Sequence, residues 1–511
     1  MKAIFKYTLV SFLGLSLLSA CSEDLLETSP TTAVETASLM GSTDKALTAL
    51  NGMYRFMYTT GYTSGWEAEE FGLAALNLTA DVMGEDHIMA KSGSGWFWWD
   101  YRYVVKSDFT HNAGRPYAIW NFFYKLIANA NYIIAAKDVM EGETSDVNYI
   151  VGQAYAIRSF SYFMLAQWYA RTYVGHETEA GVPIYTEPTV KGTPGKPRGT
   201  VADVFVQIDK DIAKAEELLS ATTRKRDSKS HIGLAEAYGL HARIAQVEEN
   251  WDDALNYSSL AITEAKKENI DIASISQFLG LNSVTSPNVM WGVKIVADQS
   301  GMYSSFFTHM DADMGKYGYS ARQQITRDLY AKMGANDARR AWWNPADTQN
   351  GENGYQQEKF KFSDYQTWQG DYLFMRIEEM YLIKAEAECM KDKDTDAQTT
   401  LKTLMSYRDP DYDCSLTGKD LGATSSLKTG SLREEIINQR RIELWGEFGR
   451  IYDLRRLHQG FIRSTDQGHP SSAIVSGTAD PESYRWVMVL PQSEFDGNAS
   501  LDENKDQNPF D

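Results

Sequence analysis

Residues 231–268 read HIGLAEAYGLHARIAQVEENWDDALNYSSLAITEAKKE. Leu234, Tyr238, His241 and Ala245 recur at helical spacing and share one face. Gly233, Ala235, Ala237, Gly239 and Ala242 lie between them and are small enough to let a neighbouring helix come close. A turn at Glu249-Asn250 follows, with Asn250 placed to cap a second helix. Trp251, Ala254, Tyr257, Ala261 and Ala265 then form the buried stripe of that helix. The stretch therefore predicts two helices joined by a short turn.

A pair of this length, with NWDDAL opening its second helix, resembles a tetratricopeptide unit. Similar pairing is expected for 42–59 with 115–140, 148–172 with 200–220, and 372–392 with 394–408. In 199–220, Thr200 and Asp203 form an acidic capping box, and Val204, Ile208, Ile212, Ala215 and Leu219 line one face. One pair cannot bury its apolar faces alone, so the pairs must stack. The expected fold class is mainly α: a scaffold of tetratricopeptide-like helix pairs with long loop-rich insertions and a few short strands. The insertions fall at 60–114, 174–199, 270–370 and 409–430, with a tail from 460. NVMWGVKIV (288–296) and YRWVMVLP (484–491) read as strands.

The chain has 511 residues, 43% of them hydrophobic, with 29 Tyr, 13 Trp and a formal charge of −19. That charge disfavours nucleic acid and direct adsorption to anionic lipid. The N-terminus, MKAIFKYTLVSFLGLSLLSAC, has two lysines, an apolar run and a small-residue site. It reads as a signal peptide over 1–20, too short to span a membrane. LSAC resembles a bacterial lipobox, making Cys21 the lipidated first residue of a mature chain of charge −21. The acidic SEDLLE that follows resembles the surface-export signal of Bacteroidetes lipoproteins. Cys389 and Cys414 remain; a disulfide between them is compatible with this compartment, but two separate thiols are the simpler expectation.

Four segments in order carry a wider resemblance. They are AYAIRSFSYFMLAQWYARTYVG…GVPIYTEP (154–188), GDYLFMRIEEMYLIKAEA (370–387), INQRRIELWGEFGRIYDLRR (437–456) and VLPQSEFDGNASLDENKDQNPF (489–510). With the lipobox, they resemble the SusD/RagB outer-membrane lipoproteins of Bacteroidetes, the starch-utilisation-system-like nutrient binders. Gln439, Gly446 and Phe448 depart from the usual pattern at scaffold positions. The resemblance implies one SusD-like domain over 21–511, with ligand-facing insertions at about 60–114 and 270–370. It implies a cell-surface, lipid-anchored, non-enzymatic subunit that captures oligosaccharide and delivers it to a partner TonB-dependent, SusC-like transporter in the outer membrane. Peptide capture, as in RagB-type members, is the alternative within binding proteins. A surface glycoside hydrolase and a repeat scaffold without a small ligand are the alternatives of other classes.

The chemistry of the residues fits binding. The eight histidines form no HExxH or i,i+4 pair, and no GxSxG is present, so neither a metal site nor a nucleophile elbow is expected. No cofactor is expected, with a structural calcium ion left open by the acid-rich tail. Arg440 with Glu443, and Glu447 with Arg450, are i,i+3 and are expected to pair along one helix as scaffold. GSGWFWWDYRY (93–103) and GMYSSFFTHMDADMGKYGY (301–319) combine aromatics with polar residues. Flat rings cover the C–H faces of a sugar while polar neighbours meet its hydroxyls. The candidate glycan-binding residues are therefore Trp96, Trp98, Trp99, Tyr101, Tyr303, Phe306, Phe307, Tyr317 and Tyr319. Trp342 and Trp343 are expected in the core.

Overall fold

The computed structural model describes residues 40–63, 65–313, 316–348 and 354–510. The signal peptide, the lipobox and Cys21 lie outside the described residues. The main helices are α1 (Thr43–Phe56), α2 (Leu73–Val82), α3 (Gly114–Ala135), α4 (Thr144–Tyr169), α5 (Val201–Ser220), α6 (Leu234–Val247), α7 (Trp251–Lys267), α8 (Ile377–Met390), α9 (Asp394–Met405), α10 (Leu432–Glu443) and α11 (Arg450–Arg456). Strands are short: β1 (His87–Met89), β2 (Ala180–Pro183), β3 (Arg198–Thr200), β4 (Val289–Val293), β5 (Gln323–Ile325), β6 (Trp343–Asn344), β7 (Gln356–Gln357) and β8 (Tyr372–Arg376). The mainly helical fold class read from the sequence is the one observed.

The pairs α4–α5, α6–α7 and α8–α9 each pack as neighbours, and α7 packs on α8, so one hairpin stacks on the next. α1 lies against both α3 and α4, while α3 packs chiefly on α4. The caps follow the sequence: Thr200 and Asp203 close the reciprocal box at the start of α5, and Asn250 accepts from the Asp253 N–H at the start of α7. On α6 the small residues are the most deeply buried, Gly239 with its backbone against the Met375 sulfur, whereas Leu234 and Tyr238 are only half-buried. His241 is buried, bonds Glu216 at 2.8 Å and stacks on Tyr257. Cys389 and Cys414 are buried free thiols, and Trp342 and Trp343 are core residues.

Two expectations are corrected. Residues 484–491 form no strand: 484–486 are a 3₁₀ turn, and the extended run after it has no strand partner. Its backbone is satisfied instead by Met488 N–H donating to Trp168 O (2.8 Å) and by the Gln507 amide, which both accepts from Leu490 N–H and donates to Leu490 O. The expected i,i+3 ion pairs also do not form: Arg440 and Glu443, both on α10, are taken by distant partners, and Glu447 and Arg450 are separated by the turn through Gly446 and Gly449, both at positive φ. Glu443 instead accepts from Arg408 (2.9 Å twice), Arg376 (3.0 Å) and Arg339 (3.4 Å). Glu447 pairs with Arg376 and Lys359, Arg440 with Asp453 and Glu379, and Arg450 with Glu85 and Asp86. The run is an ion-paired scaffold, but its partners come from distant parts of the chain. The arginines around it hold the Glu443 carboxyl well below the usual carboxylate range.

Among the described residues, no helix is long and apolar enough to cross a membrane, and no group of His, Cys, Asp and Glu is arranged to hold a metal ion.

Candidate functional site

The two aromatic insertions meet because their flanking strands pair. β1 and β5 are antiparallel, with His87 opposite Ile325 and Met89 opposite Gln323, and Ala90 N–H donates to Arg322 O at 2.9 Å. The chain leaving β1 at residue 90 therefore runs beside the chain arriving at residues 316–322. His87 fixes this junction: it is buried, bonds Asp81 at 2.5 Å and Gln323 at 2.8 Å, and stacks on Trp445. Gly93, at φ +49°, lies so close to Ala321 that a side chain would collide with it.

Within 93–101 the aromatics divide. Phe97 takes a left-handed conformation, with φ 59°, ahead of a one-turn helix at Trp98–Tyr101. Its N–H donates to Glu69 (3.1 Å), and its ring packs on Phe71 and edge-on to His309. Trp98 and Tyr101, three apart, face inward together; the Tyr101 hydroxyl bonds His469 at 2.6 Å under the Arg463 guanidinium. Trp99 faces out and is 43% exposed, and Trp96 is half-buried with its ring edge-on to Tyr317.

The second insertion divides similarly. Phe306 and Phe307 are in the core, against Phe360 and Phe362. Tyr303 and Tyr319 are exposed, and Tyr317 is half-buried between Tyr303, Trp96 and His309. Of the nine candidate residues, Trp98, Tyr101, Phe306 and Phe307 thus have their rings taken up by the core. Trp98 and Tyr101 share the inner face of one turn, and Phe306 and Phe307 open a second short helix packed into the core, where burying the ring is more favourable than hydrating it. Trp96, Trp99, Tyr303, Tyr317 and Tyr319 remain on the surface, the first four on adjoining ground.

Trp96 and Trp99 line a cavity of about 480 Å³. Its third tryptophan, Trp66, is 52% exposed and was not among the sequence candidates. The tripeptide Ser-Gly-Trp occurs at both 64–66 and 94–96, a signal that would have found it. Gly65 and Gly95 both have positive φ, and the Trp66 ring lies on Gly114, where a Cβ would be 2.7 Å from it.

Beneath the indoles lies a charged floor that periodicity does not reveal. Arg115, on the first turn of α3, makes a fork with Asp100 (2.8 and 3.0 Å) and reaches Glu69 at 3.2 Å. Asp108 is buried beside them and lines the cavity, with its carboxyl close to that of Asp100. Burial, reinforced by the neighbouring Asp100 charge, pushes the Asp108 carboxyl well above its ordinary range. Burial also raises Glu69, opposed by Arg115. Lys106, Ser107 and Asn112 stand at the rim. The cleft therefore offers three indole surfaces around polar groups, a combination suited to a ring with apolar faces and hydroxylated edges.

Two family models match the chain. Residues 59–245 match one described as "Starch-binding associating with outer membrane", and residues 302–509 match one described as the SusD family. SusD-like protein P2 of Formosa agariphila is 23% identical over 98% of this chain and 99% of its own length. SusD-like protein P38 of the same organism is 29% identical over 126 residues, 24% of this chain and 22% of that protein. The crystal structure of a SusD-like carbohydrate binding protein from Bacteroides vulgatus is 26% identical, covers 91% of this chain and 98% of its own, and superposes with a TM-score of 0.76. The matched segments include the Trp66 and Trp96 loops, the Tyr303–Tyr319 insertion and the ion-paired scaffold, and on this evidence the chain belongs to the SusD/RagB family.

Proposed function

We propose that this protein is a lipid-anchored, surface-exposed glycan-capture protein that holds oligosaccharide by equilibrium binding and passes it to a TonB-dependent transporter. The observation that carries the reading is the cleft in which Trp66, Trp96 and Trp99 surround the Arg115–Asp100–Glu69 floor. Supporting it are the starch-binding, outer-membrane description of the family model and the carbohydrate-binding relative. The Asp100 and Glu69 carboxylates below the cleft are committed to Arg115, which favours binding over hydrolysis.

A glycan array probed with residues 22–511 tests this. Binding of at least one oligosaccharide is expected, without turnover. Trp66→Ala and Trp99→Ala should each weaken it by about 1–3 kcal/mol, roughly 5- to 150-fold. Binding only to a peptide array, or hydrolysis of the bound glycan, would overturn the reading. Gentle detergent extraction should also recover a large β-barrel with the protein; recovery as a free monomer in several detergents would remove the transporter from the proposal.

A further inference from the structure

The helix that supplies Arg115 to the first cleft also forms the wall of a second. Tyr117, Asn121, Tyr124, Ala128 and Asn131 follow one another at spacings of three and four along α3. They face a cavity of about 390 Å³, closed on the far side by the 185–195 loop and by residues 493–498 of the C-terminal tail. That volume lies within the range of small-ligand sites.

The lining has the same two ingredients as the first cleft. Trp120, Tyr124 and Tyr185 make a continuous aromatic wall, with ring centres 4.7 and 6.1 Å apart, and Tyr117 stands exposed at the rim. The wall is rigid: Tyr124 donates to Pro183 O, and the Trp120 indole N–H donates to Glu494 at 3.1 Å. The polar groups are part satisfied and part open. Glu494 accepts from Trp120 and from the Asn498 amide (2.8 Å), which leaves lone pairs on both of its oxygens. The half-buried Asn121 side-chain amide makes no hydrogen bond among the described residues, so two donors and an acceptor are presented to the cavity. The loop is built to approach closely: at Gly195 a Cβ would overlap the Asn498 side chain, and Asn498 donates to Lys196 O.

We infer that this cleft is a second binding site for a neutral oligosaccharide, separate from the Trp66–Trp96–Trp99 cleft and carried on the same helix. The inference rests on the glycan-capture reading. Aromatic faces with interleaved amide edges match a sugar ring, and the Glu494 carboxylate disfavours an anionic one. The α3 residues of the two clefts are centred about eight positions apart, roughly 12 Å along the helix, and a third of a turn apart around it. One rigid element thus presents two sugar sites to the same polysaccharide, which gives an avidity that neither cleft has alone.

The tightest-bound neutral trisaccharide of the glycan array is the probe, since it is short enough to occupy one cleft at a time. Native mass spectrometry at saturation should count two bound per chain. Tyr117→Ala/Asn121→Ala should reduce the count to one with an unchanged melting temperature, and Trp66→Ala/Trp99→Ala should also leave one. The four substitutions together should leave none. A wild-type count of one that Trp66→Ala/Trp99→Ala abolishes, or a count of two that survives Tyr117→Ala/Asn121→Ala, would overturn the second site while leaving the first intact. An array on which no glycan binds would instead remove the reading on which both depend.

Discussion

Replacing Glu443 with Gln removes the charge at the centre of the scaffold. The carboxylate is fully buried and receives three hydrogen bonds within 3.0 Å, two from Arg408 and one from Arg376, with Arg339 at 3.4 Å. Around it Arg339, Arg376, Arg408 and Lys359 are balanced by Asp337, Glu378, Glu443 and Glu447. Glu443→Gln leaves one positive charge buried without a partner, a cost of about 3–5 kcal/mol. The amide also turns donors toward guanidinium groups that can only donate. Against a total stability of about 5–15 kcal/mol, that loss shows clearly as a lowered urea midpoint. Arg408→Met combined with Glu443→Leu restores the charge balance, so the pair should cost less than the sum of the two single changes by about 0.5–3 kcal/mol. The sign with pH follows from the depressed carboxyl. Its contribution is complete above the unfolded pKa of about 4.3 and fades as pH falls below it. The gap between wild type and Glu443→Gln should therefore be constant from pH 5 to 8 and close in acid. A loss under about 1 kcal/mol with strictly additive single changes would refute the argument that this network is charge-balanced and interdependent.

Asp108→Asn should preserve fold and glycan binding. Burial raises the Asp108 carboxyl above its unfolded value of about 3.9, so wild type loses stability as pH rises past that value where Asn does not. The variant should gain on wild type in thermal melts as pH rises above about 4; a variant that instead loses ground would refute the raised carboxyl. Gly114→Ala places a methyl 2.7 Å from the Trp66 ring and should lower glycan affinity by up to the 1–3 kcal/mol assigned to that ring, roughly. Unchanged affinity by titration calorimetry would mean that Gly114 does not set its seat. Cys21→Ala should move the protein from the membrane fraction to the soluble one without changing its melting temperature, and continued membrane partitioning would sink the lipid anchor.

Periodicity made the helical scaffold legible, because a helix that must bury one stripe announces that stripe at spacings of three and four. α5, α6 and α7, the Thr200–Asp203 box and the Asn250 cap are local events, set by residues within a few positions of one another. The site was legible only by composition. Sequence placed aromatics in the 93–103 and 301–319 insertions, but the β1–β5 register brought the two together, and a one-turn helix decided that Trp98 and Tyr101 turn in while Trp99 turns out. Trp66 entered from a third segment, and Asp100 acquired Arg115 from the start of α3. The ion pairs around Glu443 join residues up to about a hundred positions apart, which no i,i+3 count could find. Backbone hydrogen bonds and stripe burial depend on nearest neighbours along the chain and so can be read from it. Which side of a loop faces water, and which charge meets which, depends on close packing between segments that the sequence does not place side by side.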